Sequence, residues 1–560
     1  MRRVPTLSVR AHLALLTLAF VVTGAAFAII APLFQAPDEP PHVDMVRHYA
    51  EHPFTLADKD LQIRNGVQEA VDQTGIDQGG TIDWASPRIP AERPTYPSFD
   101  DQPNAGAPAT SCPVGTRGPD GWTSCQNYHY GHPPTFYEIM AIPDRALHGF
   151  GFPTELLVLR LLCLLLVAPI VPLTYYAARQ VWPSSTALPL GAATLVALFA
   201  PLAAAAGAVN NDSMMLLCAG LYVAACARLL RRPSPGAAIA VGLATGAGLL
   251  IKSNFQALAG AGGLVVLVAL TAIPRRDWVR TVVGFAVPAV VGSAFWLSNL
   301  VRFHTIGQPG GEILRARTPG THSDATFVGY SLRHVWDVIG RFWGLYGQSA
   351  VETPSFWRDA LSWCAGALLV AGLLASCHRW AADRRAPGDK HASGGWRMWA
   401  LAVVPAVLLG GVLLSSFQVY AKNGQVRGLL GRYLYAGLPV FAIAAVGALA
   451  SVAALVRRRW TWPAGAVSAA GTGVAAVVCA AMVRRAIHGF YGTRSPSEWL
   501  DRMGRVSALG RPGPALLVLA VVWVAAVVAA SYGVWSRTRA AYAPGDAARY
   551  ASAQPRPINP

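Results

Sequence analysis

Charge is what this 560-residue chain has least of. Only 13% of its residues are Asp, Glu, Lys or Arg, against roughly 25% in soluble domains, which excludes an ordinary water-soluble globule. Acids are scarcer still, 29 against 46 Lys and Arg. Cysteine is sparse at eight residues, and no Cys pair stands at the spacing of a zinc site, which excludes a disulfide scaffold and a closed zinc centre. Nor is there an internal repeat relating the two halves, the mark of many secondary transporters.

What fills the chain instead is apolar: 53% hydrophobic residues, gathered into runs of about 18 to 25 residues, long enough to cross a bilayer. The runs predict about twelve spans, at 12–33, 154–178, 186–207, 212–230, 236–252, 255–273, 279–300, 357–377, 398–417, 433–456, 462–483 and 514–535. The expected fold class is therefore all-α, a polytopic transmembrane helical bundle. Its first apolar run continues past the small-residue triplet Ala26–Ala28 to Leu33, too far for a cleaved signal, so it reads as an uncleaved anchor.

The segments between and around these runs give the expected organisation. Residues 1–33 are the amino-terminal end and first span, 34–153 an acidic extracytoplasmic loop with interfacial helices, and 154–300 spans two to seven. Residues 301–356 are a second outer loop, 357–536 spans eight to twelve, and 537–560 a cytoplasmic disordered tail. Arginines at Arg2, Arg3, Arg10, Arg228, Arg231, Arg232, Arg275, Arg276, Arg457 to Arg459, Arg537 and Arg539 fall on one side of such a bundle, which the positive-inside tendency makes cytoplasmic. The excess positive charge is thus read as facing anionic lipid, with no nucleic-acid partner. Against that orientation, the supposedly outer segment 484–513 carries Arg484, Arg485, Arg494, Arg502, Arg505 and Arg511.

The acids are distributed as unevenly as the bases. Residues 34–153 hold sixteen of the 29 acids and only seven of the 46 basic residues. Most of these acids read as simple solvation of a long loop. Asp38 and Glu39 stand apart, wedged between Pro37 and Pro40 at the exit of the first span. Pro41 suits the first turn of a helix from His42 to about Glu51, so either acid can cap that helix or act as a base. At the far end of the loop, Tyr128, His129, Tyr130, His132, Phe136 and Tyr137 crowd around a second Pro-Pro pair. They read as interfacial anchors or, for His129 and His132, as partners of a phosphate or sugar hydroxyl. Cys112 and Cys125 lie outside the spans, on the oxidising side, and form a candidate disulfide.

The PDEP stretch with Asp38 and Glu39, the HPP ahead of the second span, Arg160 in RLLCLLL, the turn Asn210-Asn211-Asp212, Lys252 in LLIKSN, FWGLYGQ at 342–348 and GRYLYAGLP at 431–439 together resemble the GT-C superfamily of membrane glycosyltransferases. The nearest resemblance is to its bacterial branch with a PDEP motif. The resemblance implies a polyprenyl-phosphate-sugar donor, a cell-envelope acceptor (glycan, lipid or protein), and an active site on the extracytoplasmic side of a bacterial plasma membrane.

In that setting Asp38 and Glu39 are the catalytic candidates. An acceptor hydroxyl is a poor nucleophile at neutral pH, and a carboxylate taking its proton contributes about 10²- to 10⁴-fold. Arg160, Lys252 and Arg432 are candidates for the donor phosphate, where negative charge develops, each with snorkelling to the interface as the alternative. His129, His132, Asn211, Asp212 and Tyr433 are candidate substrate contacts, with helix capping as the alternative for the Asn and Asp. Asp38 and Glu39 also offer hard oxygen ligands for a divalent cation, Mg or Mn. The alternatives to an enzyme are a twelve-span transporter or lipid flippase, and a non-catalytic envelope-assembly subunit.

Overall fold

Apolar runs without water must satisfy their backbone internally, and helices do so within one segment. The computed structural model describes residues 7–74, 89–102, 104–109, 125–307, 323–347, 351–385, 395–426, 428–457 and 464–541, and it is helical almost throughout. The chain is an all-α multi-pass membrane protein. Among the described residues, seven helices are long and apolar enough to cross a bilayer, or up to nine if each of two bent pairs is one span. Each of the twelve apolar runs lies on a helix or a helix pair.

The first helix, α1 (Val9–Ile30), is started by Ser8, whose hydroxyl accepts from Ala11 N. Helix α2 (Glu39–Glu51) begins three residues earlier than the sequence suggests, with the prolines in its first turn, where a missing N–H costs nothing. The outer segment continues through α3 (Asn65–Gln73) and α4 (Thr135–Leu147), which starts directly after Pro134. Helices α5 (Phe152–Val167) and α6 (Ile170–Val181) share one span with Pro169 at the join. Helices α7 (Ala187–Ala197) and α8 (Ala200–Ala206) bend by 58° at Leu198 and Phe199. Helix α9 (Asp212–Arg231) follows the Asn-Asn turn.

The later chain contributes helices Pro235–Leu249, Phe255–Leu270, the pair Trp278–Gly292 and Ala294–Phe303, then Phe327–Arg341, Ser355–Arg385, Gly395–Asn423, Leu438–Arg457, Ala464–Tyr491, Pro496–Val506 and Pro512–Ala541. A two-stranded antiparallel ribbon pairs Leu345 with Glu352 and Tyr346 with Val351. The last helix runs on to Ala541, so the expected tail is helical over its first residues; 542–560 lie outside the described residues.

The described part of segment 34–153 has a core of Val43, Val46, Ile63, Val67, Val71, Phe99 and Phe136. Not all of its acids are solvated. Asp44 is fully buried, accepting from Arg64 N at 3.0 Å and Asn127 Nδ2 at 2.8 Å, and burial pushes its carboxyl up despite Arg64 beside it. Arg47 is fully buried between Asp144, at 3.4 Å, and Glu155, joining α2 to α4 and α5. Cys125 is disulfide-bonded, and Cys112 lies outside the described residues.

Three arginines of the basic segment 484–513 have local partners. Arg502 donates to Tyr491 O at 2.8 Å and pairs with Glu498. Arg505 donates to Pro90 O at 3.3 Å and pairs with Asp501, and Arg485 donates to Glu352 O at 3.3 Å. These arginines satisfy protein carbonyls and acids on an amphipathic helix, Pro496–Val506.

Candidate functional site

An acid between two prolines cannot easily enter a helix, and the chain resolves this at Asp38 with a left-handed turn, φ 55° and ψ 22°. Such a backbone is uncommon for a residue with a Cβ, though Asp and Asn tolerate it best. The turn sends the two neighbouring carboxylates apart. Asp38 stands at the N-cap position of α2 but makes no side-chain capping bond, so it is not a helix cap. Its Oδ1 accepts from Tyr128 OH at 3.0 Å and its Oδ2 from Arg432 Nη2 at 2.6 Å.

Glu39 points the other way, into a fully buried fork with Arg160. The guanidinium donates through Nε to Oε1 at 2.8 Å and through Nη2 to Oε2 at 2.6 Å. Its remaining donors go to carbonyls at the end of α1, Nη1 to Ala28 and Ala31 and Nη2 to Pro32, all at 2.8 or 2.9 Å. All five N–H donors of Arg160 are thus taken by protein. Arg160 does not snorkel, and its donors are not aimed at a ligand.

The other expected cations converge on Asp38 instead. Lys252 Nζ donates to Asp212 Oδ1 at 2.7 Å, while Arg432 Nε lies 3.7 Å from Asp212 Oδ2. The ring of Tyr433 lies near both cations, its centroid 5.8 Å from Lys252 Nζ and 5.6 Å from the Arg432 guanidinium carbon. Asp38, Asp212, Lys252 and Arg432 therefore form one balanced quartet drawn from four distant parts of the chain. Lys252 is buried and ion-paired, which replaces the snorkelling alternative. The turn ahead of α9 is tied to the PDEP stretch, because Asn210 Nδ2 donates to Pro37 O at 2.9 Å while its Oδ1 accepts from Asp212 N.

Beside the quartet lies a stack of imidazoles. His42 and His129 are parallel with centroids 4.1 Å apart, and His132 meets His129 edge-on at 4.7 Å. Asn211 makes no capping bond either; its Nδ2 faces His132 Nδ1 at 2.8 Å and Ile251 O at 3.4 Å. A carbonyl only accepts, so the amide nitrogen is the donor, His132 Nδ1 accepts, and the proton of neutral His132 sits on Nε2. Burial, with Lys252 and the neighbouring imidazoles, holds His132 and His42 well below the usual histidine range; His129 is depressed to about 3 by burial and the nearby cations, against the opposing pull of Asp38. All three rings are neutral at physiological pH.

Several atoms here have no hydrogen-bond partner among the described residues: both ring nitrogens of His129, His132 Nε2, Asn211 Oδ1, Asn299 Oδ1 and Arg432 Nε, all buried. Asn299 belongs to this place through its amide, which donates to Gly131 O at 3.0 Å. A metal between Asp38 and Glu39 does not fit these residues. Their carboxylates diverge, their oxygens are already held by Arg432, Tyr128 and Arg160, and among the described residues no three His, Cys, Asp or Glu side chains are grouped to hold an ion.

The sequence alone left out Tyr128 as a ligand of Asp38, and Tyr137 and Asn299. Tyr137, whose hydroxyl lies 2.9 Å from His42 Nδ1, sits in the aromatic cluster read as interfacial anchors. Asn299, an amide in an apolar run, was the one legible signal among them.

Arg432 is placed by a close backbone approach. A Cβ on Gly431 would lie 2.1 Å from Phe342 N and 2.3 Å from Arg341 C, so only glycine lets the 3₁₀ turn Gly431–Gly437 pack on the residues before the ribbon. Gly431→Ala is expected to cost about 1 to 3 kcal/mol, as overpacking against immovable atoms does. A lowered thermal midpoint in detergent checks this; an unchanged midpoint contradicts it.

No family model and no curated protein matches this chain. Among solved structures it is similar to ArnT from Cupriavidus metallidurans bound to undecaprenyl phosphate, at 14% identity and a TM-score of 0.43, covering 94% of this chain and 74% of that one. It is also similar to the oligosaccharyltransferase of Archaeoglobus fulgidus in the apo form, at 13% identity and a TM-score of 0.42. That likeness covers 87% of this chain and 57% of the other, so the chain spans little more than half its length.

Proposed function

We propose that this protein is a membrane glycosyltransferase that moves a sugar from a polyprenyl-phosphate-linked donor to an acceptor hydroxyl outside the cytoplasm, with its active site on the extracytoplasmic face of a bacterial plasma membrane. The observation that carries the reading is the set of buried, unpartnered polar atoms around the Asp38 quartet. A buried polar atom left unpaired costs about 1 to 3 kcal/mol, and six at one place call for a ligand rich in hydroxyl and phosphate oxygens.

The chemistry divides among these residues. Asp38 takes the proton of the acceptor hydroxyl as its oxygen bonds to the anomeric carbon. Arg432 and Lys252, both near the ring of Tyr433, face the phosphate that leaves with the electron pair of the broken carbon–oxygen bond. His129, His132, Asn211 and Asn299 offer donors and acceptors to sugar hydroxyls, and Asp212 holds Lys252 in place. Arg160 and Glu39 are positioning residues that fix the PDEP turn to the end of α1. The resemblance of the motifs to the GT-C superfamily supports the same assignment.

The test is transfer in sealed membrane vesicles of both orientations, supplied with candidate radiolabelled polyprenyl-phosphate sugars. Label is expected to leave the lipid for an envelope acceptor in vesicles that expose the outer face. Donors that remain intact in both orientations, across a panel of hexosyl and pentosyl lipids, overturn the proposal.

A further inference from the structure

The quartet raises a difficulty that its own geometry resolves. As it stands, Asp38 is a poor base: burial raises its carboxyl, but Arg432, through its charge and its hydrogen bond, and Lys252 pull it down to about 2. A group so held is ionised and well ordered, yet has little appetite for a proton.

We infer that Asp38 and the donor phosphate compete for Arg432, so that donor entry takes the guanidinium from Asp38 and thereby switches on the base. The inference rests on the glycosyltransferase reading and adds to it an order of events. Arg432 contacts Asp38 through Nη2 alone, and its Nε is buried without a hydrogen bond, 3.7 Å from Asp212. The guanidinium is thus shared between two carboxylates and holds Asp38 through a single nitrogen. Two cations already balance two carboxylates, so an added phosphate must weaken one existing pair.

Asp38 is the acid placed to yield. Its side chain is 31% exposed against 7% for Asp212, and Asp212 keeps Lys252 at 2.7 Å whatever Arg432 does. Tyr128 holds Asp38 Oδ1 in place when Arg432 leaves. With Arg432 on the phosphate, the strongest of the charges that lower Asp38 is neutralised, and its basicity returns as the donor arrives. The step then balances. The acceptor proton passes to Asp38, the acceptor oxygen bonds to the anomeric carbon, and the carbon–oxygen bond to phosphate breaks with its pair retained by the phosphate facing Arg432 and Lys252. Acceptor hydroxyls, water included, meet an inactive base until a donor is bound.

The experiment measures binding of undecaprenyl phosphate to the full chain in phosphatidylcholine nanodiscs. Removing the competing charge in Asp38→Asn is expected to tighten binding about tenfold, Asp38→Glu to leave it near wild type, and the gain from Asp38→Asn to vanish in an Arg432→Ala background. Asp38→Ser replaces the amide variant if that does not fold. Unchanged or weaker binding by the uncharged variants, with the wild type binding, overturns the exchange and leaves the transferase reading standing. Binding by neither wild type nor variants removes the transferase reading and the exchange with it.

Discussion

Transfer by Asp38→Asn, measured at saturating donor, should fall by at least about 10², the lower end of what a general base contributes. Asparagine has the same shape, can still accept the hydroxyl of Tyr128, and is among the residues most at ease in the left-handed conformation that position 38 adopts. The fold is therefore kept while proton acceptance is lost. Asp38→Ala makes a poorer probe, because alanine fits the positive φ less well and loses both hydrogen bonds. The informative comparison sets transfer rate beside donor affinity, since the two should move in opposite directions in Asp38→Asn. Transfer at near wild-type rate would show that Asp38 orients Arg432 and does no proton chemistry.

The largest loss of stability is expected from Arg160→Ala. It leaves Glu39 fully buried with only the Val209 N–H, at 3.3 Å, as a protein partner. It also takes a donor from three carbonyls at the end of α1, of which Pro32 O keeps the Gln35 N–H at 3.2 Å. Breaking one side of a buried pair costs about 3 to 5 kcal/mol. Arg160→Lys should recover only part of this, since an ammonium has three donors and no planar fork. Glu39→Gln combined with Arg160→Ala should be less damaging than Arg160→Ala alone, as the unpaired charge is gone. The check is the thermal midpoint of purified protein in one detergent. A stable Arg160→Ala that merely fails to bind undecaprenyl phosphate would make Arg160 a phosphate ligand after all.

The contrast between Asp38 and Glu39 shows how far the sequence could be read. Spans were legible because lipid imposes length and hydropathy on every run, and Lys252, Asp212 and Arg432 were legible because a charge at the end of an apolar run has few uses. That adjacent acids serve different ends was not legible, since it depends on a left-handed turn at position 38, which Pro-Asp-Glu-Pro permits without specifying. The partners of Arg160 were hidden for another reason. Three of them are backbone carbonyls, which every residue possesses and no letter announces. The imidazole stack was read through His129 and His132; His42 lies about ninety residues upstream on α2 and reaches them through the packing of α2 on α4.

The Arg160 fork also bears on how the chain enters the membrane in the first place. Synthesis proceeds from the amino terminus, and an arginine within a span costs about 2.5 to 3.5 kcal/mol to insert when it stands alone. Every acceptor that Arg160 uses, at Ala28, Ala31, Pro32 and Glu39, has been made before Arg160 leaves the ribosome. The second span therefore need not wait for later helices to shelter its charge; it can leave the translocon as a hairpin with α1, its arginine already neutralised. The same bonds that later hold the PDEP turn at the membrane edge would then serve first as the licence for insertion, which places the first commitment of the site's geometry before two thirds of the protein exists.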